Sequence, residues 1–317
     1  MNNSSSNCSF DDVNAQVRVV QQVFHFPTLI LGSVLNLLAI RHFSIFLRKR
    51  WRGYASTSIY MINLAVFDLL LVLSLLFKIV LLYVKASLPA LCTLAESLYF
   101  VSMYGSIFTI CFISLDRFLA IRYPLVVNPI RSPKKIFMIC CVIWALVWAG
   151  STPVYSFHGE TEDYRCFHNM SDQTWSSAIF FPLEVFGFLI PLAIIGFCSC
   201  RSICILLGRE HYTADWIQQK ACVWTIAASL LVFVLSFLPV HVGFFLQFLV
   251  RNGFISDCQT QRNIILFLHF SLCFSNVNCC LDVFCYYFVI KEFRTDLLAH
   301  RPSRAELVLQ DTMTTRG

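Results

Sequence analysis

Two acidic residues lie within apolar stretches of the sequence, and their positions favour the binding of a cation or a proton. Asp68 follows "NLAVF", and Asp282 follows "NVNCCL", in which Asn278 lies one helical turn earlier. Ser106 is a polar position midway along another apolar stretch. Two carboxylates cannot both stay ionised unaided in an apolar environment. With hydroxyl and amide oxygens they suit a monovalent cation or a shared proton, and a hydrogen-bonded network with water and no ion is the alternative.

A second group of residues could hold an anion. Lys78 lies ten residues after Asp68, about 15 Å further along a helix, and Arg251 ends a later apolar stretch. A cationic rim above an aromatic and apolar floor would suit an amphiphile with an anionic head. The other members of this predicted ligand site are Glu96, Tyr99, Phe100, Met103, Phe237, Phe244 and Gln247.

These residues also have structural interpretations. Arg251 could extend to the membrane interface without touching a ligand, and Glu96 could only neutralise Lys78 in a salt bridge. An enzyme or zinc site is not expected, because no Cys-x-x-Cys or His-Glu-x-x-His motif occurs and the eight His residues lack a suitable spacing to Cys, Ser or carboxylates. No cofactor is expected.

The composition requires a membrane-spanning scaffold for these residues. Of the 317 residues, 57% are hydrophobic and 13% are charged, whereas a soluble domain carries about 25% charged residues. Runs of about 20 apolar residues cross a bilayer as helices. The predicted fold is an all-α seven-helix membrane bundle with spans near 20–46, 56–84, 92–122, 134–155, 176–207, 219–251 and 261–288. A proton-coupled transporter is the rival interpretation, but no internal repeat supports it.

The distribution of basic residues predicts the orientation of the bundle. Of the 24 Lys and Arg residues, 18 lie in the tail, in the loops after helices one, three and five, or at adjacent helix ends. Positive charge favours the cytoplasmic side, so the N-terminus is predicted outside and the C-terminus inside. The predicted layout is an extracellular tail at 1–19, a seven-helix domain at 20–290 and an inner tail at 291–317. Glycosylation sequons occur on the predicted outer side at Asn2, Asn3, Asn7 and Asn169.

Four of the 15 cysteines lie in predicted extracellular segments, where disulfides can form. A bridge from Cys92 to Cys166 would hold the loop after helix four across the bundle, leaving Cys8 and Cys258 to join the N-terminal tail to the loop before helix seven. Four cysteines allow three pairings, and spacing does not choose among them.

The ordered motifs resemble those of rhodopsin-like (class A) G protein-coupled receptors. The resemblance covers about residues 20 to 295 and includes "GSVLN", "NLAVFD" and "DRFLAIRYPL". It also includes "KEFR", which in this family begins a short amphipathic eighth helix at residues 291–294. Single-residue landmarks in the same order are Gly32, Asn36, Cys92, Trp144, Pro191, Pro239 and Tyr286.

The resemblance implies roles for several residues in signalling. Asp116 would hold Arg117 in the resting state by a charge-assisted bond, and Arg117 would meet the G protein when helix six swings outward. Pro239 would be the pivot of that swing, and Tyr286 would stabilise the open arrangement. Plasma-membrane localisation, a heterotrimeric G protein partner and an arrestin partner follow from the same resemblance.

Departures from the common motifs indicate a branch of the family. Helix six has Ser-Phe-Leu-Pro ending at Pro239, and the "DVFCY" motif of helix seven has Asp282 and lacks the usual proline. Asp282 and an extra Cys8–Cys258 pair resemble the nucleotide- and lysolipid-responsive receptors. Longer stretches such as "SFLPVHVGFFLQFLVRN" are similar to lysophosphatidylinositol receptors, which respond to cannabinoids. This similarity implies a lysophospholipid agonist, Rho-activating G proteins and calcium mobilisation. Another lipid or a nucleotide is the alternative ligand.

Overall fold

Seven long apolar helices make up the structure, a computed structural model that describes residues 11–48, 55–84, 89–124, 132–151, 175–208, 216–283 and 286. The described part contains no strand, so the all-α prediction is confirmed. In chain order the helices are α1 Asp11–Arg48, α2 Ala55–Val84, α3 Pro89–Arg122, α4 Pro133–Ser151, α5 Ser177–Leu207, α6 Trp216–Arg251 and α7 Cys258–Val283.

The helix ends show what hydropathy alone does not detect. α1 begins at Asp11 rather than near residue 20, and its first turns are held by Val13 and Val17, which are buried. α7 begins at Cys258 rather than near residue 261, because the Asp257 side chain accepts hydrogen bonds from the Thr260 hydroxyl at 2.6 Å and the Thr260 amide at 2.8 Å. These bonds hold the pKa of Asp257 below its usual value.

Helix α3 is the centre of the bundle. It contacts α2, α4 and α5, while α1 packs against α2 and α7, and α6 packs between α5 and α7. In its most apolar stretch 67% of the residues are buried, against 28% in α1 and α4. We call the end of the bundle near Cys92 and Arg251 the outer end, and the end near Arg117 the inner end.

The surface of the bundle is apolar where it would meet lipid. Phe137, Phe186 and Phe197 are each at least 60% exposed. A soluble protein rarely exposes such large apolar patches, but hydrocarbon accepts them. The exposed aromatic and aliphatic side chains therefore agree with a membrane-embedded bundle.

One polar junction ties α2, α3 and α4 together. The Asn63 amide donates to the Thr109 hydroxyl at 2.8 Å, and the indole of Trp144 donates to the Asn63 side-chain oxygen at 2.9 Å. Phe67 stacks on Trp144 with ring centroids 4.3 Å apart. A polar group buried in the membrane needs such a partner, and this junction accounts for the landmark Trp144.

Helix α5 is interrupted by a π-helical turn. Ser177–Glu184 is α-helical, Val185–Leu189 is a π turn, and Ile190–Leu207 is α-helical again. One extra residue rotates the preceding segment by about 100° relative to a continuous α-helix. Gly187 allows the turn to approach α3, since a Cβ atom there would lie 2.7 Å from Cε1 of Tyr104. Glu184 consequently faces the interior and is 8% exposed.

Candidate ligand-binding and signalling sites

Lys78 lies half-buried in the outer half of α2 and faces three other helices. It interacts electrostatically with Glu96 of α3 and Cys273 of α7, and with His25 of α1. Glu96 and His25 are both buried. The structure therefore brings the predicted cation and the predicted acid together, as both the ligand site and the structural salt bridge require.

His25 belongs to this cluster, although sequence analysis did not select it. Its Nε2 atom lies 3.4 Å from the amide nitrogen of Asn276 and 3.8 Å from the sulfur of Cys273. These partners are far away in the sequence, so no local spacing indicates the contact. The available signal was the presence of a titratable side chain in the apolar run "VFHFPTLI".

Below the Lys78 cluster, Tyr99, Met103 and Phe237 line a common cavity with Asp68 and Ser106. Ser275 of α7 lines the same cavity. The volume of the cavity is about 10 Å³, which is enough for about one water molecule. Phe100 is half-buried and meets Tyr99 edge to face, with ring centroids 5.6 Å apart.

The predicted site residues of α6 divide between the interior and the surface. Gln247 is buried, and its side-chain oxygen has no hydrogen-bond partner in the described part of the chain. Phe244 is half-buried against the aromatic cluster of Trp175, Phe180 and Phe248. Arg251 is exposed at the end of the helix, whereas Lys78 is half-buried. The two cations therefore differ in depth.

Among the described residues, the inner end of the bundle leaves little space around Arg117. Arg117 is half-buried and lines a cavity with α5, α6 and α7, to which Ser199, Ser229 and Asp282 contribute. The volume of this cavity is about 30 Å³. It is therefore far too small to admit a helix about 10 Å wide. Pro239 lies inside α6, between this cavity and the outer end.

The two intramembrane acids lie close enough to repel each other but have different partners. Asp68 accepts a hydrogen bond from the Tyr286 hydroxyl at 3.3 Å, and it also bonds to Ser106. Asp282 accepts from the Asn278 amide at 2.9 Å. Tyr286 donates as well towards Asn36 of α1 at 3.3 Å. Tyr286 therefore lies in a polar network among α1, α2 and α7.

The predicted cation site is only partly assembled. Asp68, Ser106 and Asn278 line the small cavity, whereas Asp282 lines the inner cavity with Arg117. The side-chain oxygen of Asn278 is buried without a partner among the described residues, so it could accept a cation or a water. No cluster of three or more His, Cys, Asp or Glu side chains within the described ranges has the geometry of a metal site.

A buried pair between α5 and α6 was not anticipated from the sequence. The Nδ1 atom of His241 lies 3.0 and 3.1 Å from the two carboxylate oxygens of Glu184. The imidazole of His241 also stacks on Phe188 with centroids 3.9 Å apart and planes within 4°. The signal was a charged residue in "FFPLEVFGFLIPL", which by default marks a functional position in a membrane helix.

Several predicted sites fall partly or wholly outside the described residues. Cys92 and Cys258 are both disulfide-bonded, whereas their predicted partners Cys166 and Cys8 lie outside the described part. The pairings therefore stay predictions. The sequons at Asn2, Asn3, Asn7 and Asn169 and the amphipathic segment at 291–294 also lie outside it.

Comparison with known families agrees with this architecture. Residues 35–286 match the family described as "7 transmembrane receptor (rhodopsin family)". The match begins one residue before Asn36 and ends at Tyr286, so it includes Asn36, Asp68 and Tyr286 of the network among α1, α2 and α7.

Individual receptors are similar over nearly the whole chain. G-protein coupled receptor 55 of Homo sapiens is 69% identical over 315 residues, which cover 99% of each chain. The Mus musculus protein of the same name is 65% identical over 98% of each chain. Lysophosphatidic acid receptor 6 of Gallus gallus is 32% identical over 90% of this chain and 94% of its own. All three similarities extend across all seven helices.

Proposed function

This chain belongs to the rhodopsin family of seven-transmembrane receptors, and we propose that it responds to a lysophospholipid. As a member of this family it is a multi-pass plasma-membrane receptor rather than an enzyme, and it works with a ligand and a G protein. We propose the orientation predicted from its basic residues, with the N-terminus extracellular and the C-terminus cytoplasmic.

The observation that carries the ligand class is the half-buried Lys78. Its ammonium lies where α1, α2, α3 and α7 meet, and its acidic neighbour Glu96 is on α3. A phosphate can pair with such a cation by charge-assisted hydrogen bonds. The similarity to a lysophosphatidic acid receptor, whose name denotes an anionic lysophospholipid, supports the same class.

The other site residues complete this proposed site. Glu96 and Tyr99 orient Lys78 or the head group, and Arg251 attracts the phosphate from the rim. Phe100, Met103, Phe237, Phe244 and Gln247 contact the rest of the ligand. The resemblance to lysophosphatidylinositol receptors favours an inositol head group. Because the cavity below Tyr99 holds about one water molecule, the acyl chain must lie higher up or between helices.

Signalling is proposed to run through the inner end. Asp116 holds Arg117 at rest, and outward movement of α6 about Pro239 exposes Arg117 to the G protein. Tyr286 moves with α7 and stabilises the open arrangement. An agonist drives this change only by the difference in its affinity for the two states. The proposed partners are Rho-activating G proteins, calcium-mobilising G proteins and arrestin.

Asp68, Ser106 and Asn278 are proposed to hold a sodium ion or a proton, with Asp282 beside them. The small cavity that the first three residues share, together with the unpartnered oxygen of Asn278, supports this assignment. A bound cation would offset the repulsion between the two carboxylates.

The outer part of the chain is proposed to carry two disulfides and several glycans. The proposed bridges are Cys92–Cys166 and Cys8–Cys258, and the proposed glycosylated residues are Asn2, Asn3, Asn7 and Asn169. The tail at 1–19, the receptor domain at 20–290 and the inner segment at 291–317 complete the layout.

A lysolipid panel tests this function. Cells expressing the full chain are exposed to lysophosphatidylinositol, lysophosphatidic acid, lysophosphatidylcholine and a nucleoside diphosphate. G protein dissociation is then measured. We expect the anionic lysolipids to activate, with a half-maximal concentration at least about tenfold higher in Lys78→Ala, since one charge-assisted bond is worth about 1.5–3 kcal/mol.

Arg18→Ala is the matched control, because Arg18 is an exposed cation in the outer half of α1. Both variants are compared at equal surface expression. A response of Lys78→Ala equal to wild type would remove Lys78 from the site. Activation by the nucleotide alone would replace the lipid ligand with the alternative class.

A further inference from the structure

The Glu184–His241 pair is a direct contact between α5 and α6, the helix whose outward movement is part of the proposed function. Both Glu184 oxygens lie within 3.1 Å of the same ring nitrogen, so the contact is fixed in both distance and direction. The side chains are only 11% and 2% exposed. A charge buried to this degree is tolerated when it is paired and hydrogen-bonded.

The surroundings of His241 restrict its ring from three sides. Phe188 of α5 stacks on one face. Tyr104 of α3 and Phe244 of α6 approach edge to face, with centroids 6.1 and 5.7 Å away. Nε2 of His241 and the Tyr104 hydroxyl are both buried without a hydrogen-bond partner in the described part of the chain. The Glu184 contact is therefore the polar anchor that this structure gives to the His241 ring.

The π turn of α5 sets the direction of the Glu184 side chain. It begins directly after Glu184 and includes Phe188, the stacking partner of His241. Without the extra residue, the segment before it would be rotated by about 100° and Glu184 would point elsewhere. A π turn is a rare and costly feature that often marks a functional site. Its consequence in α5 is to direct a carboxylate at α6.

The pair lies beside the expected pivot of α6 and coexists with an inner end that leaves little space around Arg117. His241 follows Pro239 by two residues, and the cavity around Arg117 is only about 30 Å³. If α6 turns or tilts by about 20° at His241, a ring 5–6 Å from the helix axis moves by roughly 2 Å relative to α5. A hydrogen bond of 3.0 Å does not survive such a displacement.

From this geometry we propose that Glu184 and His241 form a resting-state lock, which holds α6 against α5 and lowers signalling in the absence of agonist. The lock stabilises the closed state relative to the open state by the free energy of the Glu184–His241 contact, because this contact is lost when α6 tilts. Because the inference concerns basal signalling, it does not depend on the proposed lysophospholipid ligand.

The test measures G protein dissociation without agonist, across sensors for each class of G protein, per receptor at the cell surface. The decisive variant is Glu184→Met with His241→Phe, which removes the lock without leaving a buried charge and keeps an aromatic ring against Phe188. We expect its basal signal to rise about tenfold, the effect of losing one hydrogen bond to a charged group. Because the signal is normalised to receptor at the cell surface, a loss of folded receptor alone does not raise it.

Two further variants refine the result. The exchange Glu184→His with His241→Glu rebuilds the pair in reverse, and its basal signal is expected to fall back towards wild type. Ser236→Ala is the matched control on α6, because its hydroxyl is buried without a partner among the described residues, and its basal signal is expected to stay unchanged.

A wild-type basal signal in the apolar double variant, at normal surface expression, overturns the lock. If that variant does not reach the surface, Glu184→Met alone decides, since methionine keeps the length of the side chain and removes both carboxylate oxygens. A raised basal signal in Glu184→Met supports the lock, and an unchanged signal overturns it.

Discussion

The two sides of the bundle bury carboxylates in different ways. On the side of α1, α2 and α7, Asp68 and Asp282 repel each other and rely on donors such as Tyr286 and Asn278. On the side of α3, α5 and α6, Glu184 meets His241 directly. In the first arrangement each carboxylate borders a cavity of its own, whereas the second is a closed contact. The difference predicts unequal responses to mutation.

The largest effect is expected on the closed side. His241→Ala leaves the Glu184 carboxylate buried without its partner and removes the ring that stacks on Phe188. We expect a loss of stability of about 3–5 kcal/mol, as for other broken buried pairs. Thermal unfolding of the detergent-solubilised receptor measures it. A loss no greater than that of Asn36→Ala would mean that the two sides do not differ in this respect.

A smaller effect tests the packing that supports the closed pair. Gly187→Ala would bring a Cβ atom within 2.7 Å of the Tyr104 ring, so we expect about 1–3 kcal/mol of destabilisation from overpacking. Gly196→Ala is the control on the same helix, where a Cβ atom meets no described residue within 4 Å. Equal melting temperatures for the two variants would contradict the tight fit of the π turn against α3.

On the side of α1, α2 and α7, Asn36→Ala removes the hydrogen bond from Asn36 to the Cys279 carbonyl at 2.9 Å and the contact with Tyr286. We expect about 1–1.5 kcal/mol of destabilisation, the net value of a typical buried hydrogen bond. Ser33→Ala is the control, since its hydroxyl bonds to the carbonyl of Leu29 in its own helix. Thermal unfolding should rank Asn36→Ala below Ser33→Ala, and the reverse order would contradict the network.

The smallest change in stability is expected for Asp68→Asn. It removes one of two like charges while keeping an acceptor for Tyr286, so the two effects partly offset each other and the net change stays below about 1 kcal/mol. The informative measurement is the melting temperature in sodium chloride against choline chloride. Sodium should stabilise the wild type more than Asp68→Asn, and equal wild-type values in the two salts would rule out the cation site.

Sequence reasoning predicted the scaffold because its signals are local. Long apolar runs are required of any helix that crosses a bilayer, so all seven helices were found. Lys78 and Glu96 were selected because rare ionisable groups in such runs are conspicuous, and the structure places them beside each other. The starts of α1 and α7 were missed by several residues, because buried valines and the Asp257 cap act through contacts that hydropathy does not record.

The site was predicted less completely because its contacts cross the bundle. His25 and Asn276 are 251 positions apart, and Glu184 and His241 are 57 apart. Sequence analysis weighed Asp68 and Asp282 as one site, whereas the structure divides them between two cavities. Which side chains meet depends on how each helix is rotated, and a single π turn changes that rotation by about 100°.

The sequence by itself determined the number of helices, their order and the rare polar residues within them, because solvation in a bilayer constrains every residue of a span one by one. Only the tertiary structure decided which of those polar residues neutralise one another, since partnership depends on the rotation and depth of helices that are distant in the chain. The π turn of α5 shows how local and tertiary structure are connected. Its five residues set a local backbone geometry, and this geometry directs Glu184 at His241 on another helix.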